Sequence, residues 1–194
     1  MTVVLATATR RAEIAVMLAR AFADDPAMSW IFPDATLRAR RLPGLFQLLF
    51  DEDGPNGVRL MDDAARAATL WRGPGAAHTG TLAMLRQIVP LVAVFGGALP
   101  RALAVSRAIE AHMPMGAFWY LHIAGCDPAH QGKGLGRALV KAGLERMGAS
   151  GLPFYLETAT ERNLGFYQSL GFEVTDDWTV PGGGPRFWSM LAGR

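Results

Sequence analysis

The sequence contains a single cysteine, Cys126, and only four histidines, which show no spacing typical of a metal site. One cysteine cannot form a disulfide within the chain, and it cannot supply the clustered thiolates of a structural zinc site. We therefore expect a fold that is held together by its hydrophobic core and that binds no metal.

Lysine is almost absent as well, since Lys133 and Lys141 are the only two. The formal net charge is +2, and the densest basic cluster is Arg38, Arg40 and Arg41, which we interpret as a solvated helix face. Nucleic-acid binding usually needs a concentrated basic surface. The sequence therefore predicts no nucleic-acid partner.

The sequence also lacks a leader and a long apolar run. Residues 1–10 show no basic region ahead of their short apolar stretch, unlike a signal peptide. The apolar tract from Ile88 to Pro100 is shorter than the about 20 residues that a membrane span needs. We expect a cytoplasmic protein with no membrane partner.

The composition is that of a globular protein, with 51% hydrophobic and 19% charged residues. At 194 residues the chain is long enough to bury a core of its own, and it shows no internal repeat or low-complexity linker. We predict one domain over residues 1–194.

Turn residues and apolar periodicity predict a strand, two helices and a β-hairpin in the first 75 residues. The predicted bounds are 3–8 for the strand, 10–23 and 34–50 for the helices, and 58–61 with 67–71 for the hairpin. Thr9 is a candidate N-cap of the first helix, and residues 27–32 are expected to form a loop. Pro43 predicts a bend or break in the second helix.

Residues 80–112 are helical in character, with breaks expected near Gly96-Gly97 and at Pro100. Two apolar helices here exceed what a minimal domain needs. They could pack into the core, form a wall over an acceptor site, or supply the surface of a homodimer.

The C-terminal half alternates strands and helices. Its predicted elements are strands 118–126, 153–158, 172–175 and 186–191, and helices from about 135 to 150 and from 161 to 170. Gly151 is the expected C-cap of the longer helix. This order predicts a mixed α/β sheet with crossover helices.

A glycine-rich loop, Gln131-Gly-Lys-Gly-Leu-Gly136, lies between the strongest predicted strand and the helix that follows it. A helix N-terminus presents unpaired N–H groups and the positive end of the helix dipole, which favours a phosphate or pyrophosphate. Lys133 and Arg137 would add positive charge. The loop is not a Walker loop, because Gly134 stands where Ser or Thr is required, and it is not a Rossmann loop, because Arg137 replaces the third glycine.

Three separated features then coincide: the strand ending at Cys126, the pattern Gln-x-x-Gly-x-Gly in the loop, and the segment Asn163-Leu-Gly-Phe-Tyr-Gln-Ser-Leu-Gly-Phe172. Over residues 118–176 this arrangement resembles the GNAT superfamily of acyl-CoA-dependent N-acyltransferases. Stretches around the loop and Gly184-Pro-Arg-Phe-Trp188 are also similar to the puromycin N-acetyltransferase branch. The resemblance implies a central mixed, largely antiparallel sheet flanked by helices.

The resemblance further implies that acetyl-CoA is the co-substrate, with no metal. Pantetheine would pair with the strand at Ile123, Ala124 and Gly125, where glycine would let the strand bulge, and Asn163 would lie nearby. The residues implied to hold the pyrophosphate are Gln131, Gly132, Lys133, Gly134, Leu135, Gly136 and Arg137.

Tyr167 is the candidate general acid for the departing thiolate. Glu157 is the preferred general base, and His122 is the alternative because an imidazole titrates near neutral pH. His130 is interpreted as structural. Cys126 is disfavoured as an acyl-carrying nucleophile, because GNAT transfer is direct and no neighbour lowers its pKa.

The sequence therefore predicts an enzyme that transfers an acetyl group from acetyl-CoA to a primary amine of a small molecule by direct attack. The alternative is a non-catalytic module that binds or senses acyl-CoA. Aromatic residues at Trp30, Phe32, Phe118 and Trp119 fit either an acceptor pocket or the core, so the acceptor stays open.

Overall fold

The computed structural model describes residues 1–76 and 89–193. Within these residues seven strands form one sheet in the order β1-β2-β3-β4-β5-β7-β6. Every neighbouring pair is antiparallel except β4 and β5, which are parallel. The strands are β1 Val3–Leu5, β2 Gly57–Asp62, β3 Ala67–Arg72, β4 Trp119–Cys126, β5 Phe154–Thr158, β6 Glu173–Thr179 and β7 Arg186–Ala192. The predicted fold class is confirmed.

The α-helices whose bounds lie wholly within the described residues are α1 Arg11–Ala21, α2 Pro26–Ile31, α3 Ala35–Glu52, α4 Leu99–Ala111, α5 Leu135–Met147 and α6 Leu164–Gln168, and residues 89–95 are helical as well. Buried residues of α1 to α4 share one hydrophobic cluster with one face of the sheet. Residues of α5 and α6 pack against the other face, around Trp71, Leu121 and Met190. The result is a sheet with helices on both faces.

The segment expected to be a loop, residues 27–32, is largely helix α2. Asp25 caps this helix, because its Oδ1 accepts hydrogen bonds from the N–H groups of Ala27 at 2.9 Å and Met28 at 3.1 Å. Pro26 occupies the first helical turn, where it lacks only an N–H that would be unpaired anyway. The Asp-Pro pair therefore starts a helix as well as following one.

The predicted N-cap of α1 was wrong. Thr9 lies inside a 3-10 turn, Ala8–Arg10, and the cap residue of α1 is Arg10, which makes no side-chain cap hydrogen bond. The hydroxyl of Thr9 instead pairs with that of Thr7 at 2.7 Å. Because the Thr9 hydroxyl is bonded to that of Thr7, it does not cap the backbone N–H groups of α1.

Prolines affect the helices less than expected. Helix α3 runs through Pro43 without a break, and Pro100 stands in the first turn of α4 rather than interrupting it. Gly96–Ala98 does form a 3-10 turn between helical residues 89–95 and α4. The predicted helical character of residues 80–88 lies outside the described residues.

One helical stretch in the described part of the chain, Val89–Ala111, is long and apolar enough to cross a membrane by length and composition alone. The stretch has 23 residues. Its apolar 18-residue window has a mean hydropathy of 1.6, and 11% of that window is buried. The 3-10 turn at Gly96–Ala98 interrupts it. The expectation of no membrane partner stays a prediction.

Candidate active site

A gap opens between β4 and β5 because these two strands pair over only two positions. Trp119 faces Phe154 and Tyr120 faces Tyr155, after which no strand in the described part of the chain pairs with β4 on this side. Strand β5 stays paired to β7 as far as Thr158. The backbone of the second half of β4 is therefore left with a free hydrogen-bonding edge facing the gap.

An extra residue on β4 marks the start of this divergence. In the β3–β4 ladder Leu70 faces Ile123 and Trp71 faces Leu121, so His122 has no counterpart on β3. A bulge of this kind bends the strand and increases its twist. The bulge was expected at Gly125, and the structure places it at His122.

Gly125 has a different reason to be glycine. A Cβ at this position would lie 2.5 Å from Cδ2 of Leu18 and 3.3 Å from Cβ of Ala21. Helix α1 thus packs directly on the β4 backbone, and any side chain at Gly125 would push the helix away.

The glycine loop directly follows β4 and leads into α5. Gly132 and Gly134 adopt positive φ angles of 75° and 77°, and Gly134 is the N-cap of α5. No acidic side chain stands in the first turn of the helix. The predicted geometry for an anion, with free N–H groups at a helix N-terminus, is therefore present.

Asp127 anchors the loop at its start. Its carboxylate accepts the N–H of Ala129 at 2.9 Å and forms an ion pair with Arg20 of α1 at 2.5 Å. Gln131 donates from its side chain to the backbone oxygen of Cys126 at 3.3 Å. These contacts tie the loop to both β4 and α1.

A cavity of about 690 Å³ runs from the gap to the loop. Ten of the predicted site residues line it: Ala124, Gly125, Gln131, Gly132, Gly134, Leu135, Gly136, Arg137, Asn163 and Tyr167. Ile123, Lys133, Glu157 and His122 are not among its lining residues. The sequence missed its α1 side, where Arg20, Phe22 and Asp24 line the wall, because the resemblance did not extend to that half of the chain.

The two predicted cations of the loop differ in position. Arg137 lines the cavity and donates to Oγ of Ser169, the residue after α6, at 2.5 Å. Lys133 instead donates to the backbone oxygen of Ala129 at 3.3 Å. Arg137 is thus the better placed of the two to meet an anion in the cavity.

Tyr167 extends from α6 into the cavity wall and is 7% exposed. Its ring packs between Phe166 and Phe172, with centroids at 5.0 and 5.9 Å. Burial, and then the charge of Glu157, raise the pKa of the Tyr167 phenol. The phenol therefore keeps its proton at neutral pH. Asn163 donates to Oγ1 of Thr158 at 3.3 Å.

Glu157 lies on β5 beside the gap. Burial raises the pKa of its carboxyl to about 7, and Tyr120 and Arg72 partly oppose this rise. The Tyr120 hydroxyl donates to Oε1, whereas Oε2 is buried and has no hydrogen-bond partner among the described residues. A carboxyl that titrates near neutral pH suits proton transfer.

His122, the alternative base, is held away from the cavity. Its Nδ1 lies 2.7 Å from Oδ2 of Asp53. The other oxygen, Oδ1, accepts a hydrogen bond from Nε of Arg72 at 2.6 Å. Burial alone would raise the pKa of Asp53, but His122 and Arg72 lower it overall. His122 thus belongs to a buried ion-pair network with Asp53 and Arg72, which the sequence did not reveal.

Cys126 and His130 also line the cavity, although the sequence predicted a catalytic role for neither. Burial, and then Asp127, raise the pKa of Cys126, so the thiol is not activated as a nucleophile. Nδ1 of His130 is buried, has no hydrogen-bond partner within residues 1–76 and 89–193, and lies 3.9 Å from Oδ1 of Asp127. In the part of the chain that the structure describes, no group of three potential metal ligands occurs.

Residues 92–174 match the family model of the acetyltransferase (GNAT) domain. Over 98% of this chain and 94% of the other, the fold is similar to a histone acetyltransferase HPA2 and related acetyltransferase from Corynebacterium glutamicum, with a TM-score of 0.75 and 25% identity. The chain therefore matches a GNAT acetyltransferase domain over residues 92–174 and shares its fold with an acetyltransferase over nearly its whole length.

Two further relatives are similar either at lower sequence identity or over a shorter segment. The arylalkylamine N-acetyltransferase 2 of Aedes aegypti has a TM-score of 0.65 at 12% identity, covering 99% of this chain and 98% of that one. A mycothiol acetyltransferase of Nocardiopsis dassonvillei is 42% identical over 59 residues. That match covers 29% of this chain and 18% of the relative, so the chain corresponds to a small part of that protein. The similarity to the puromycin branch stays a prediction.

Proposed function

We propose that this protein is an N-acetyltransferase that moves an acetyl group from acetyl-CoA to a primary amine of a small molecule by direct attack. The observation that carries the proposal is the gap between β4 and β5, which leads directly to the left-handed glycine loop at the N-terminus of α5. Together they make one continuous groove with an open strand edge at one end and an anion site at the other.

The chain's residues fit a pantetheine arm and a pyrophosphate. The free edge of β4 at Ile123, Ala124 and Gly125 offers N–H and C=O groups at the spacing of an added strand. The N–H groups of residues 132–136 and the Arg137 guanidinium would hold the pyrophosphate. Lys133 would contribute at longer range.

Acyl transfer then needs proton acceptance and proton donation at separate groups. The amine nitrogen forms a bond to the acetyl carbon while the carbon–sulfur bond breaks. Glu157 does not line the cavity, so it would receive the proton released by the amine through water, and Tyr167, which lines the cavity, would donate its phenolic proton to the thiolate. A β4 backbone N–H would polarise the acetyl carbonyl.

The protonation states of both side chains support these roles. The pKa of Glu157 is raised to about 7, so a substantial fraction of the carboxyl is ionised at neutral pH and can accept a proton. The pKa of Tyr167 is raised, so the phenol carries the proton that it must donate. Two groups whose environments assign them opposite proton states make an acid and base pair.

The names of two relatives support a small molecule as acceptor, since one is an arylalkylamine N-acetyltransferase and the other a mycothiol acetyltransferase. We also propose that residues 1–194 form one domain, because strands from both ends of the chain join one sheet. A cytoplasmic location stays part of the proposal.

A calorimetric titration with acetyl-CoA tests the proposal. We expect the parent protein to bind and a Gly134→Glu variant to lose binding, because φ at Gly134 is positive and the new carboxylate would repel the pyrophosphate. The matched control is Gly148→Glu, which adds the same charge after the other end of α5, where a Cβ would meet nothing within 4 Å.

A panel of primary amines then tests catalysis through release of CoA. Release with at least one amine supports the enzyme. Acetyl-CoA binding without release for any amine would favour a non-catalytic acyl-CoA module instead, and absence of binding would refute the groove as a cofactor site.

A further inference from the structure

Tyr120 and Glu157 form a buried pair at the point where β4 and β5 separate. Tyr120 is 2% exposed and faces Tyr155 in the last pair of the parallel ladder. Glu157 follows two residues later on β5, on the same face as Tyr155. The Tyr120 hydroxyl donates to Oε1 of Glu157 across the gap.

The two oxygens of Glu157 are not equivalent. Oε1 is occupied by Tyr120, while Oε2 is buried and unpartnered among the described residues. A buried acceptor without a partner is costly, by about 1–3 kcal/mol. An unpaired buried polar atom in a folded protein calls for an explanation, and a catalytic role is one of them.

The Tyr120 ring itself is held from two sides. Its centroid lies 5.2 Å from that of His122 and 5.7 Å from that of Tyr155. Nδ1 of His122 is in turn held at 2.7 Å from Oδ2 of Asp53, whereas the contact with Tyr155 is made by its ring. The Tyr120 ring is therefore packed on both sides where it reaches Glu157.

We propose that Tyr120 is a positioning residue for the acetyl transfer: by holding Oε1 of Glu157 it leaves Oε2 as the oxygen that takes the proton of the acceptor amine through a water, since Glu157 lies behind the cavity wall. This role rests on the proposed function. It also gives a role to the ion-pair network around His122, which fixes the Tyr120 ring and has no contact with the cavity.

Several titratable or charged groups act on Glu157 from the surrounding elements. They are Arg72 on β3, Tyr120 on β4, Tyr155 on β5 itself and Tyr167 on α6. The hydrogen bond from Tyr120 lowers the pKa of Glu157 and opposes the larger effect of burial. Removing this hydroxyl should therefore move the pKa of Glu157 upwards.

The test compares Tyr120→Phe with Tyr155→Phe. The first removes the hydroxyl that contacts Glu157, and the second removes a neighbouring hydroxyl that contacts Ser189 instead. Both keep the ring. We expect Tyr120→Phe to lower kcat about tenfold, with an unchanged KM for acetyl-CoA, and to shift the acid limb of kcat/KM to higher pH.

A second readout does not depend on turnover. The Glu157 carboxyl is titrated by carbon-13 NMR in both variants, with Glu157→Gln to assign its signal. We expect the pH midpoint of the Glu157 titration to rise in Tyr120→Phe and to move less in Tyr155→Phe. Thermal melts confirm that each variant is folded.

The outcomes separate the two proposals. If Tyr120→Phe turns over with the parent's pH profile of kcat/KM and the parent's titration midpoint of Glu157, the positioning role is overturned. The proposed acetyltransferase activity would then still stand. An equal change in both variants would also overturn the positioning role, since the effect would not be specific to the Glu157 contact. A parent protein that acetylates no amine would overturn the proposed function and the positioning role with it.

Discussion

Gly143 of α5 lies so close to Trp71 of β3 that a Cβ at this position would stand 2.6 Å from Cζ2 of the indole. Trp71 cannot easily move away, because its Nε1 donates to Oγ1 of Thr69 and its ring packs edge-on against Phe154. The helix therefore approaches the sheet at a distance that only glycine permits.

Gly143→Ala should destabilise the protein. The steric cost of overpacking, about 1–3 kcal/mol, is expected to exceed the about 1 kcal/mol that alanine gains over glycine inside a helix. The free energy of unfolding from urea denaturation measures the difference.

Gly148→Ala is the control for that substitution. Gly148 directly follows α5 with helical backbone angles, and a Cβ there would meet nothing within 4 Å. We expect it to be neutral or slightly stabilising. Equal effects of the two substitutions would contradict the close approach of Gly143 to Trp71.

Tyr167→Phe should separate binding from chemistry. The ring packing with Phe166 and Phe172 is retained, but the proton for the thiolate is lost. We expect kcat to fall about 10²-fold and the acetyl-CoA Kd from calorimetry to stay within twofold. An unchanged kcat would remove Tyr167 as the general acid.

Glu157→Gln should change the dependence of stability on pH. The carboxyl has a pKa of about 7 in the folded chain against 4.5 as its ordinary value, so the folded state binds its proton more tightly than the unfolded state. The parent therefore loses stability as pH rises from about 4.5 to about 7, whereas glutamine has no proton to lose.

The expected advantage of Glu157→Gln is up to about 3 kcal/mol at pH 8 and close to zero at pH 4. Thermal unfolding across this pH range measures it, with the exposed Glu161→Gln as control. A constant difference at all pH values would argue against a raised pKa at Glu157. The same variant should lose most of its turnover.

Asp25→Ala should weaken the start of α2. The carboxylate accepts two N–H groups of the first turn, from Ala27 and Met28, and both would lose their partner. Loss of such a cap costs about 1 kcal/mol. Urea denaturation measures the loss, and the exposed neighbour substitution Asp24→Ala should have a smaller effect. If the two variants match, Asp25 is not the cap.

Helices, strands and the glycine loop were largely predictable, because their signals are local. The aromatic and β-branched run before Asp127 gave β4 almost to the residue. The predicted C-cap of α5 was wrong, because Gly148 caps α5 and the left-handed Gly151 ends the 3-10 turn Gly148–Ser150 that follows. Helix α2 was missed, because its Asp-Pro start also signals the end of a helix.

The arrangement of the candidate site was less predictable, because its contacts join distant residues. Tyr120 and Glu157 are 37 positions apart, and His122 and Asp53 are 69 apart. The alternation of side chains along a strand predicts which face of β4 carries Tyr120. It cannot predict that the side chain it contacts there, Glu157, comes from β5. His122 was therefore taken as a candidate base although the structure holds it in an ion-pair network.

The sequence by itself determined the glycine loop before α5, since a left-handed glycine ahead of a helix is dictated by local backbone geometry. It also determined the alternation of strands and helices around that loop. Only the tertiary structure decided where β4 leaves β5, which oxygen of Glu157 stays free, and which side chains line the cavity. These follow from packing between elements far apart in the chain, where no local spacing rule applies.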